Sequence, residues 1–259
     1  MMNRYFISDA HLFPEPEDHP GRDRLLSFLD HLARMDSPGE LWILGDLFDF
    51  WFEYGTVMPA GHGRCLSSIR RLAVGGWGVH FLPGNHDYWV GPHFREATGA
   101  VVHTTGTVEL RAGPMRVLLA HGDGLGPGDL GYRLMKPVLR SPLSMFMFRA
   151  LHPGLGSYLA RRFSDTSRRI LRRDLDGIPE GLKNWVEGKL EDGYDLVITG
   201  HTHLDKVVES EKGIYVSLGD WLTRFTYCRL EDGSGKPELL SYAPPEPQSD
   251  TETGNADYD

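Results

Sequence analysis

The sequence predicts an α/β fold with a mixed sheet, and three observations support this class. Up to residue 87, short apolar runs typical of buried strands alternate with segments whose apolar residues recur at helical spacing. Two further apolar runs on either side of a turn at residues 111–114 predict a hairpin, which makes the sheet mixed. Several apolar runs also stop at Asp, Asn or His, as expected where strands end at a site.

In the first half of the chain, each predicted element rests on this spacing. The first helix places Leu25, Leu29 and Leu32 on one face, and the breaker Ser37-Pro38-Gly39 ends it. The aromatic stretch Asp49–Tyr54 is as consistent with core packing as with the wall of a cleft. The predicted strands cover residues 5–8, 41–44 and 79–82, and the predicted helices cover residues 25–35 and 66–74.

The second half continues the pattern and closes with a polar tail. The tail, residues 244–259, is Pro-rich and acidic without apolar periodicity, so we expect it to be disordered and residues 1–243 to form the domain. The predicted strands cover residues 101–110, 115–120, 195–199, 206–208, 214–218 and 225–230, and a predicted helix covers residues 182–190.

Residues 133–173 differ in character from the rest of the chain. This window holds 10 of the 27 Lys and Arg residues, and Asp165 is its only acid, although the protein as a whole is acidic. It is also apolar, with Phe146 and Phe148 among its aromatic residues. It is either an ordinary helical insertion with a solvated cationic face, or a lid that meets an anionic, apolar partner at a membrane surface.

Composition and charge exclude some classes of protein. A chain of 259 residues can bury one large core, and a net charge of −9 argues against a nucleic-acid binder that works through a basic surface. The two cysteines, Cys65 and Cys228, have no metal or redox spacing and are interpreted as buried small hydrophobes. No apolar stretch approaches the roughly 20 residues that span a bilayer. We therefore expect a cytoplasmic protein that is at most attached to a membrane surface; no oligomeric state is indicated.

The residues that follow the strands are of metal-ligand type. They combine carboxylate, amide and imidazole groups without a thiolate, a set that suits Mn, Fe, Co or Zn. They outnumber the ligands of one ion, and Asp46, which lies between the first group and the others in sequence, is placed to bridge two ions that together hydrolyse a phosphoester. The candidate ligands are Asp9, His11, Asp46, Asn85, His121, His201 and His203.

His86 and Asp87 are the candidate catalytic pair. An imidazole next to a ligating Asn, with a carboxylate beside it, fits an oriented group that donates a proton to a phosphoryl oxygen or to the leaving group. A single histidine is more often a surface or core residue than a ligand. However, five of the 12 histidines fall in these clusters, and a chance match of all clusters in this order is improbable.

The clusters together resemble the calcineurin-like metallophosphoesterase superfamily, whose pattern is D-x-H, G-D, G-N-H-D, H-G-D and G-H-x-H. The chain carries Asp9-Ala10-His11, Gly45-Asp46, Gly84-Asn85-His86-Asp87, His121-Gly122-Asp123 and Gly200-His201-Thr202-His203. The resemblance implies two packed mixed β-sheets flanked by helices, a four-layer αββα arrangement. It also implies two metal sites that share Asp46: one with Asp9, His11 and His203, the other with Asn85, His121 and His201.

A closer resemblance is to the UDP-2,3-diacylglucosamine pyrophosphatases of lipid A synthesis. It rests on residues 7–12, on residues 44–51 and on His121-Gly122-Asp123-Gly124-Leu125 with the residues that follow. It implies hydrolysis to UMP and 2,3-diacylglucosamine 1-phosphate, usually with Mn, a helical insertion over residues 133–190 that caps the site and takes up acyl chains, and peripheral contact with the cytoplasmic face of the inner membrane. The substrate or membrane contacts implied by analogy are Asp129, Tyr132, Arg161, Arg168 and Arg172.

One residue departs from the closer resemblance, and two other functions compete with it. Well-known members have Arg where this chain has His86, which matches the general superfamily pattern instead. A phosphodiesterase acting on a soluble nucleotide would share the scaffold but would not need the apolar insertion. A non-catalytic scaffold protein would show eroded ligand positions, whereas every candidate ligand and His86 are present here.

Overall fold

The computed structural model describes residues 2–55, 57–125, 141–150, 177–233 and 236–245. Its strands are β1 (Asn3–Ile7), β2 (Glu40–Ile43), β3 (Gly78–Phe81), β4 (Val101–Val102), β5 (Thr107–Ala112), β6 (Met115–Ala120), β7 (Leu196–Thr199), β8 (Asp205–Ser210), β9 (Gly213–Leu218), β10 (Thr226–Glu231) and β11 (Glu238–Ser241). Its helices are α1 (Arg22–Ala33), α2 (Gly63–Val74), α3 (Pro92–Thr98), α4 (Pro142–Ala150) and α5 (Glu180–Glu191).

The strands form two mixed sheets, as predicted. The first has the order β11-β10-β1-β2-β3-β4, and the second has the order β5-β6-β7-β9-β8. Strands β1 to β4 are parallel to one another, and so are β6, β7 and β9. Strands β5, β8, β10 and β11 each pair antiparallel with their neighbours. The carboxyl ends of the parallel strands therefore lie at one edge of each sheet, where open α/β sheets place their ligands.

Three apolar clusters hold four layers together. The middle cluster lies between the sheets, where Phe6 and Trp42 of the first sheet meet Val117 and Ile198 of the second. A second cluster packs the opposite face of the first sheet against α1, α2 and α3. A third packs the second sheet against α5. Because both faces of each sheet are covered, the central strands are apolar on both sides rather than alternating.

Several sequence predictions about the fold are corrected by the structure. The predicted strand over residues 101–110 is two strands, because β4 pairs with β3 in the first sheet and β5 pairs with β6 in the second. The chain crosses between sheets at residues 103–106. The short helix α3 and the strand β11 were not predicted. Helix α5 packs on the second sheet, and the predicted bounds of the insertion, residues 133–190, stay a prediction.

Other predictions are confirmed within the described residues. Cys65 and Cys228 are free and buried, and burial raises the pKa of each thiol to about 12. Of the predicted basic window, the structure describes α4, which is helical as expected. No helix in the described ranges is both long and apolar enough for a membrane crossing. The predicted disordered tail lies outside the described residues from residue 246 onward.

Candidate metal centre

The candidate ligands lie in the loops that follow five parallel strands. Three of these strands, β1, β2 and β3, belong to the first sheet, and two, β6 and β7, belong to the second. Five of these residues have left-handed backbone, with φ of 56° at Asp9, 45° at His11, 52° at Asp46, 69° at His201 and 57° at His203. This conformation costs a non-glycine residue about 1–2 kcal/mol. Such strain concentrates at functional sites, so the pattern supports a site at this edge.

Glycines in the ligand motifs allow close approach of the loops. A Cβ atom on Gly200 would lie 2.5 Å from Oδ2 of Asp9, and one on Gly84 would overlap Oδ1 of Asp46. Because neither carboxylate can move away without losing its own contacts, any larger residue would displace a candidate ligand. The glycines of the G-N-H-D and G-H-x-H motifs thus belong to the geometry of the site.

Asp46 lies at the centre of the cluster. Its Oδ1 accepts the backbone N–H of His86 at 2.9 Å. Its Oδ2 faces three imidazoles, at 3.4 Å from Nε2 of His121, 3.8 Å from Nε2 of His11 and 4.0 Å from Nε2 of His86. Burial opposes ionisation, but the imidazoles of His121 and His86 outweigh it and hold the pKa of Asp46 well below its usual range. One oxygen is thus fixed, and the other is directed at the imidazoles.

Asp9 repeats this arrangement at the end of β1, the strand next to β2 in the same sheet. Its Oδ2 accepts the backbone N–H of His201 at 2.8 Å. Its Oδ1 lies 3.6 Å from Nε2 of His203 and 3.8 Å from Nε2 of His11, and within the described part of the chain it has no hydrogen-bond partner. Nε2 of His11 is 3.3 Å from Nε2 of His203. A buried carboxylate oxygen without a partner is costly unless a cation binds there.

His121 provides a second test of whether a cation fits. Its Nδ1–H donates to the carbonyl oxygen of Leu44 at 2.7 Å, so Nε2 is the atom that faces the site. There it meets Oδ1 of Asn85 at 3.1 Å and Oδ2 of Asp46 at 3.4 Å, both of which are acceptors. Burial alone would lower the pKa of His121, but the Asp46 carboxylate raises it to about 10. The acceptors around Nε2 of His121 therefore favour a positive charge there, and a divalent ion can supply this charge in place of the proton.

These contacts divide the cluster into groups that fit two ions. Potential ligand atoms within 4.8 Å of one another form three sets: Asp9 with His11 and His203; His11 with Asp46 and His86; and Asp46 with His121 and His201. The oxygen and imidazole donors suit a borderline divalent ion. All seven predicted ligands thus converge, and Asp46 and His11 each belong to two of the sets.

His86 lies beside this cluster in a fixed orientation. Its Nδ1–H donates to the carbonyl oxygen of Asp49 at 2.8 Å, which turns Nε2 toward Asp46. The predicted orientation of this imidazole is therefore present, but its partner is a backbone carbonyl rather than the neighbouring Asp87. The distance of 4.0 Å between Nε2 and Asp46 is compatible with a proton donor at the site and also with a ligand.

Asp87 accepts backbone hydrogen bonds from two loops of the site. Its side chain is fully buried. Its carboxylate accepts backbone N–H bonds from Gly84 at 2.8 Å, Asp46 at 3.2 Å, Leu47 at 2.8 Å and Phe48 at 3.4 Å. It therefore joins the loop after β2 to the loop after β3. These contacts with backbone amides indicate a supporting role, and the catalytic role of Asp87 stays a prediction.

Asp220 is a residue of the site that sequence analysis missed. Its Oδ2 lies 3.4 Å from Nδ1 of His203, on the side of the ring opposite the cluster. Burial would raise the pKa of Asp220, but His203 and backbone amides lower it below its usual range. A signal was present, because Leu218-Gly219-Asp220 follows β9 as Leu44-Gly45-Asp46 follows β2.

An aromatic wall, formed by Phe50, Phe52, Trp89 and Phe148, lies next to the loop that carries His86. Ring centroids of Phe148 are 5.8 Å from Phe50, 4.6 Å from Phe52 and 5.1 Å from Trp89. The wall packs α4 against the loops after β2 and β3. Within the aromatic stretch Asp49–Tyr54, Trp51 is fully buried in the core and Phe50 packs against Phe148 of α4, so core packing is present and the role as a cleft wall stays a prediction.

The residues predicted by analogy as substrate contacts are not placed by the structure. Asp129, Tyr132, Arg161, Arg168 and Arg172 lie outside the described residues. Their roles stay predictions.

Comparison with known proteins agrees with the geometry. A family model described as calcineurin-like phosphoesterase matches residues 2–205. A UDP-2,3-diacylglucosamine hydrolase of Porphyromonas gingivalis is 34% identical over 252 residues, covering 89% of this chain and 94% of the relative. Enzymes of the same name from Pseudomonas putida F1 and Pseudomonas aeruginosa PAO1 are each 33% identical and cover 83% and 85% of this chain, and 89% and 91% of their own lengths.

Proposed function

The chain belongs to the calcineurin-like phosphoesterase family, and on this premise we propose that it hydrolyses UDP-2,3-diacylglucosamine to UMP and 2,3-diacylglucosamine 1-phosphate. The observation that carries the proposal is the convergence of seven ligand-type side chains beside an aromatic wall that can receive an apolar substrate. The similarity to relatives named for this activity extends over most of the chain. The basic, apolar character of residues 133–173 suits a lipid substrate with phosphate groups.

Divalent metal ions are part of this proposal, and membership of the family implies them. We propose that Asp9, His11 and His203 with Asp46 hold one ion, and that Asp46 with Asn85, His121 and His201 holds the other, Mn being the preferred metal. When bound, two such ions supply positive charge at the phosphorus and lower the pKa of water. The partnerless Oδ1 of Asp9 and the facing acceptors around Nε2 of His121 support these positions.

The chain's own residues supply orientation and a proton. Because the carbonyl of Asp49 accepts from Nδ1 of His86, a second proton on this ring is carried by Nε2, which faces the site. We propose that Nε2 donates this proton to a phosphoryl oxygen or to the departing phosphate. Asp87 contributes indirectly, because it holds the loops that carry Asp46 and Asn85 at a constant separation.

Helix α4 is proposed to form part of a lid that receives the acyl chains. Phe148 anchors the helix on the aromatic wall. On other faces of α4, Leu143, Phe146 and Met147 are 68%, 70% and 62% exposed. Exposed apolar side chains in a basic segment suit contact with an anionic membrane surface. We therefore propose that the enzyme acts as a peripheral protein on the cytoplasmic face of the inner membrane.

The first experiment measures cleavage by the Mn-loaded protein of UDP-2,3-diacylglucosamine and, separately, of a soluble chromogenic phosphodiester. Release of UMP from the lipid substrate at a rate far above that of the soluble control supports the proposal. Cleavage of the soluble compound alone retains a metallophosphodiesterase and rejects the lipid substrate. Failure to bind metal would instead support a scaffold protein.

A matched pair of variants tests the two proposed roles of α4. Phe148→Ser removes the anchor on the aromatic wall, so we expect it to slow cleavage of the lipid substrate more than cleavage of the soluble phosphodiester. Phe146→Ser alters only an exposed ring, so it should reduce binding to anionic vesicles and leave soluble turnover unchanged. Equal effects of Phe148→Ser on both substrates would remove the case for an acyl-binding wall.

A further inference from the structure

The histidines of the metal centre differ in what fixes their ring orientation. His121 and His86 each donate Nδ1–H to a backbone carbonyl, at 2.7 Å and 2.8 Å, and so direct Nε2 into the site. His203 also presents Nε2 to the site, 3.6 Å from Oδ1 of Asp9. Its Nδ1, however, faces the carboxylate of Asp220 at 3.4 Å, which is a negatively charged acceptor rather than a carbonyl.

Asp220 is itself held in place from several directions. Oδ1 accepts the backbone N–H groups of Leu222 at 2.9 Å, Thr223 at 2.6 Å and Arg224 at 3.1 Å, and the Thr223 hydroxyl lies 3.2 Å from both carboxylate oxygens. The side chain is only 6% exposed. These contacts occupy mainly Oδ1 and leave Oδ2 directed at His203.

The loop that carries Asp220 is also tied to a ligand loop. The backbone N–H of Trp221 donates to the carbonyl oxygen of Asp9 at 3.1 Å, and the Trp221 side chain is fully buried in the core beside α1. Gly219, which has φ of 78°, lets the chain turn sharply after β9 without a side chain between Asp205 and Thr226. The distance between Asp220 and the Asp9 loop is therefore set by backbone and core contacts rather than by the imidazole.

From this arrangement we propose that Asp220 is a positioning residue that fixes the tautomer and the orientation of His203. An acceptor at Nδ1 places the ring proton there, which leaves the lone pair of Nε2 free for a metal ion. The negative charge of the carboxylate also makes that lone pair a stronger donor than a carbonyl would. Asp220 acts through His203 and does not itself contact substrate. The inference rests on the metal centre of the proposed function.

The first test needs no variant. Nitrogen NMR of the metal-free protein labelled at histidine, with His203 assigned by comparison with a His203→Gln sample, reports which ring nitrogen carries the proton. We expect the neutral Nδ1–H form for His203. A proton on Nε2 in the neutral ring would overturn the proposal.

The second test is Asp220→Asn, which keeps the shape and one carbonyl oxygen for the backbone amides but presents an N–H₂ group to His203. The ring proton should then move to Nε2 and block the lone pair. We expect calorimetric titration of the metal-free variant with Mn²⁺ to show a 10–100-fold loss of affinity at one site, the effect typical of such outer partners, with the second site unchanged. Two sites with wild-type affinities would overturn the proposal.

A matched control separates positioning from structural damage. Asp205→Asn makes the same substitution on an exposed carboxylate at the start of β8, which pairs with Arg224 of the Asp220 loop at 3.6 Å. This variant should bind both ions as the wild type does. If the wild-type protein itself binds no Mn²⁺, the proposed function fails, whereas normal metal binding by Asp220→Asn refutes only the role of Asp220. The tautomer measurement remains decisive if Asp220→Asn does not fold.

Discussion

Replacing Asp87 by alanine tests whether this carboxylate is a structural support of the metal centre. Its two shortest bonds, at 2.8 Å, come from Gly84 and Leu47, which lie in the loops that carry Asn85 and Asp46. Each buried N–H group left without an acceptor costs about 1–3 kcal/mol, so the two together predict a loss of roughly 2–6 kcal/mol in the free energy of unfolding. Asp87→Asn, which keeps one oxygen, should lose about half as much.

The matched control is Glu53→Ala, since the Glu53 carboxylate also binds several backbone amides. The Glu53 carboxylate, 5% exposed, accepts backbone N–H bonds at the start of α3 from Gly91 at 2.9 Å, His93 at 3.0 Å and Phe94 at 3.0 Å. Urea denaturation of the metal-free proteins should show similar losses for both alanine variants. Titration with Mn²⁺ should show weaker binding for Asp87→Ala than for Glu53→Ala, because Asp87 binds the amide of Asp46 and that of Gly84, next to Asn85, whereas the amides bound by Glu53 lie at the start of α3.

Two results would refute this reasoning. A loss below about 1 kcal/mol for Asp87→Ala would show that water or rearrangement satisfies the amides, and the support would then be dispensable. Equal weakening of metal binding in Asp87→Ala and Glu53→Ala would show that general destabilisation, rather than loop separation, decides metal affinity.

Three further predictions follow from the site and the core. Asp46→Ala should abolish metal loading, counted by mass spectrometry, and turnover, because Oδ2 of Asp46 faces His11 and His121, which are proposed to bind different ions. Near-normal turnover would exclude a bridging role. His86→Ala should lower turnover with two metals still bound, and a missing metal would instead make it a ligand. Burial and the charge of Arg22 lower the pKa of His62 to about 4, whereas the ordinary pKa of histidine is near 6.5. Between these two pH values the unfolded chain binds more protons than the folded protein. This contribution to stability is therefore complete above pH 6.5 and is lost as the pH falls toward 4. Because of His62, the free energy of unfolding measured by urea denaturation should fall by about 2 kcal/mol between about pH 7.5 and about pH 5. In His62→Gln the fall should be smaller by this amount. Identical falls in the two proteins would contradict the burial argument.

Sequence periodicity predicted most of the elements because each is organised around one apolar face or one apolar run. Helix α1 buries Leu25, Leu29 and Leu32 as the spacing indicated, and the central strands are as short and apolar as expected. The missed elements lack that signal. Helix α3 has seven residues and only Phe94 and Thr98 buried, and β11 is a half-exposed edge strand. Their existence depends on partners, namely the Glu53 carboxylate for α3 and β10 for β11.

The sequence by itself predicted the proposed metal-ligand set, because these residues follow strands in short motifs whose residue types indicate their chemistry directly. The tertiary structure alone decided what supports those ligands. Asp87 and Asp220 are the same residue type and both follow strands, yet one binds backbone amides and the other faces His203. Which atoms a carboxylate meets depends on loops distant in sequence being brought within about 3 Å of it, the range of a hydrogen bond. That distance follows from the packing of the two sheets, which local spacing does not contain.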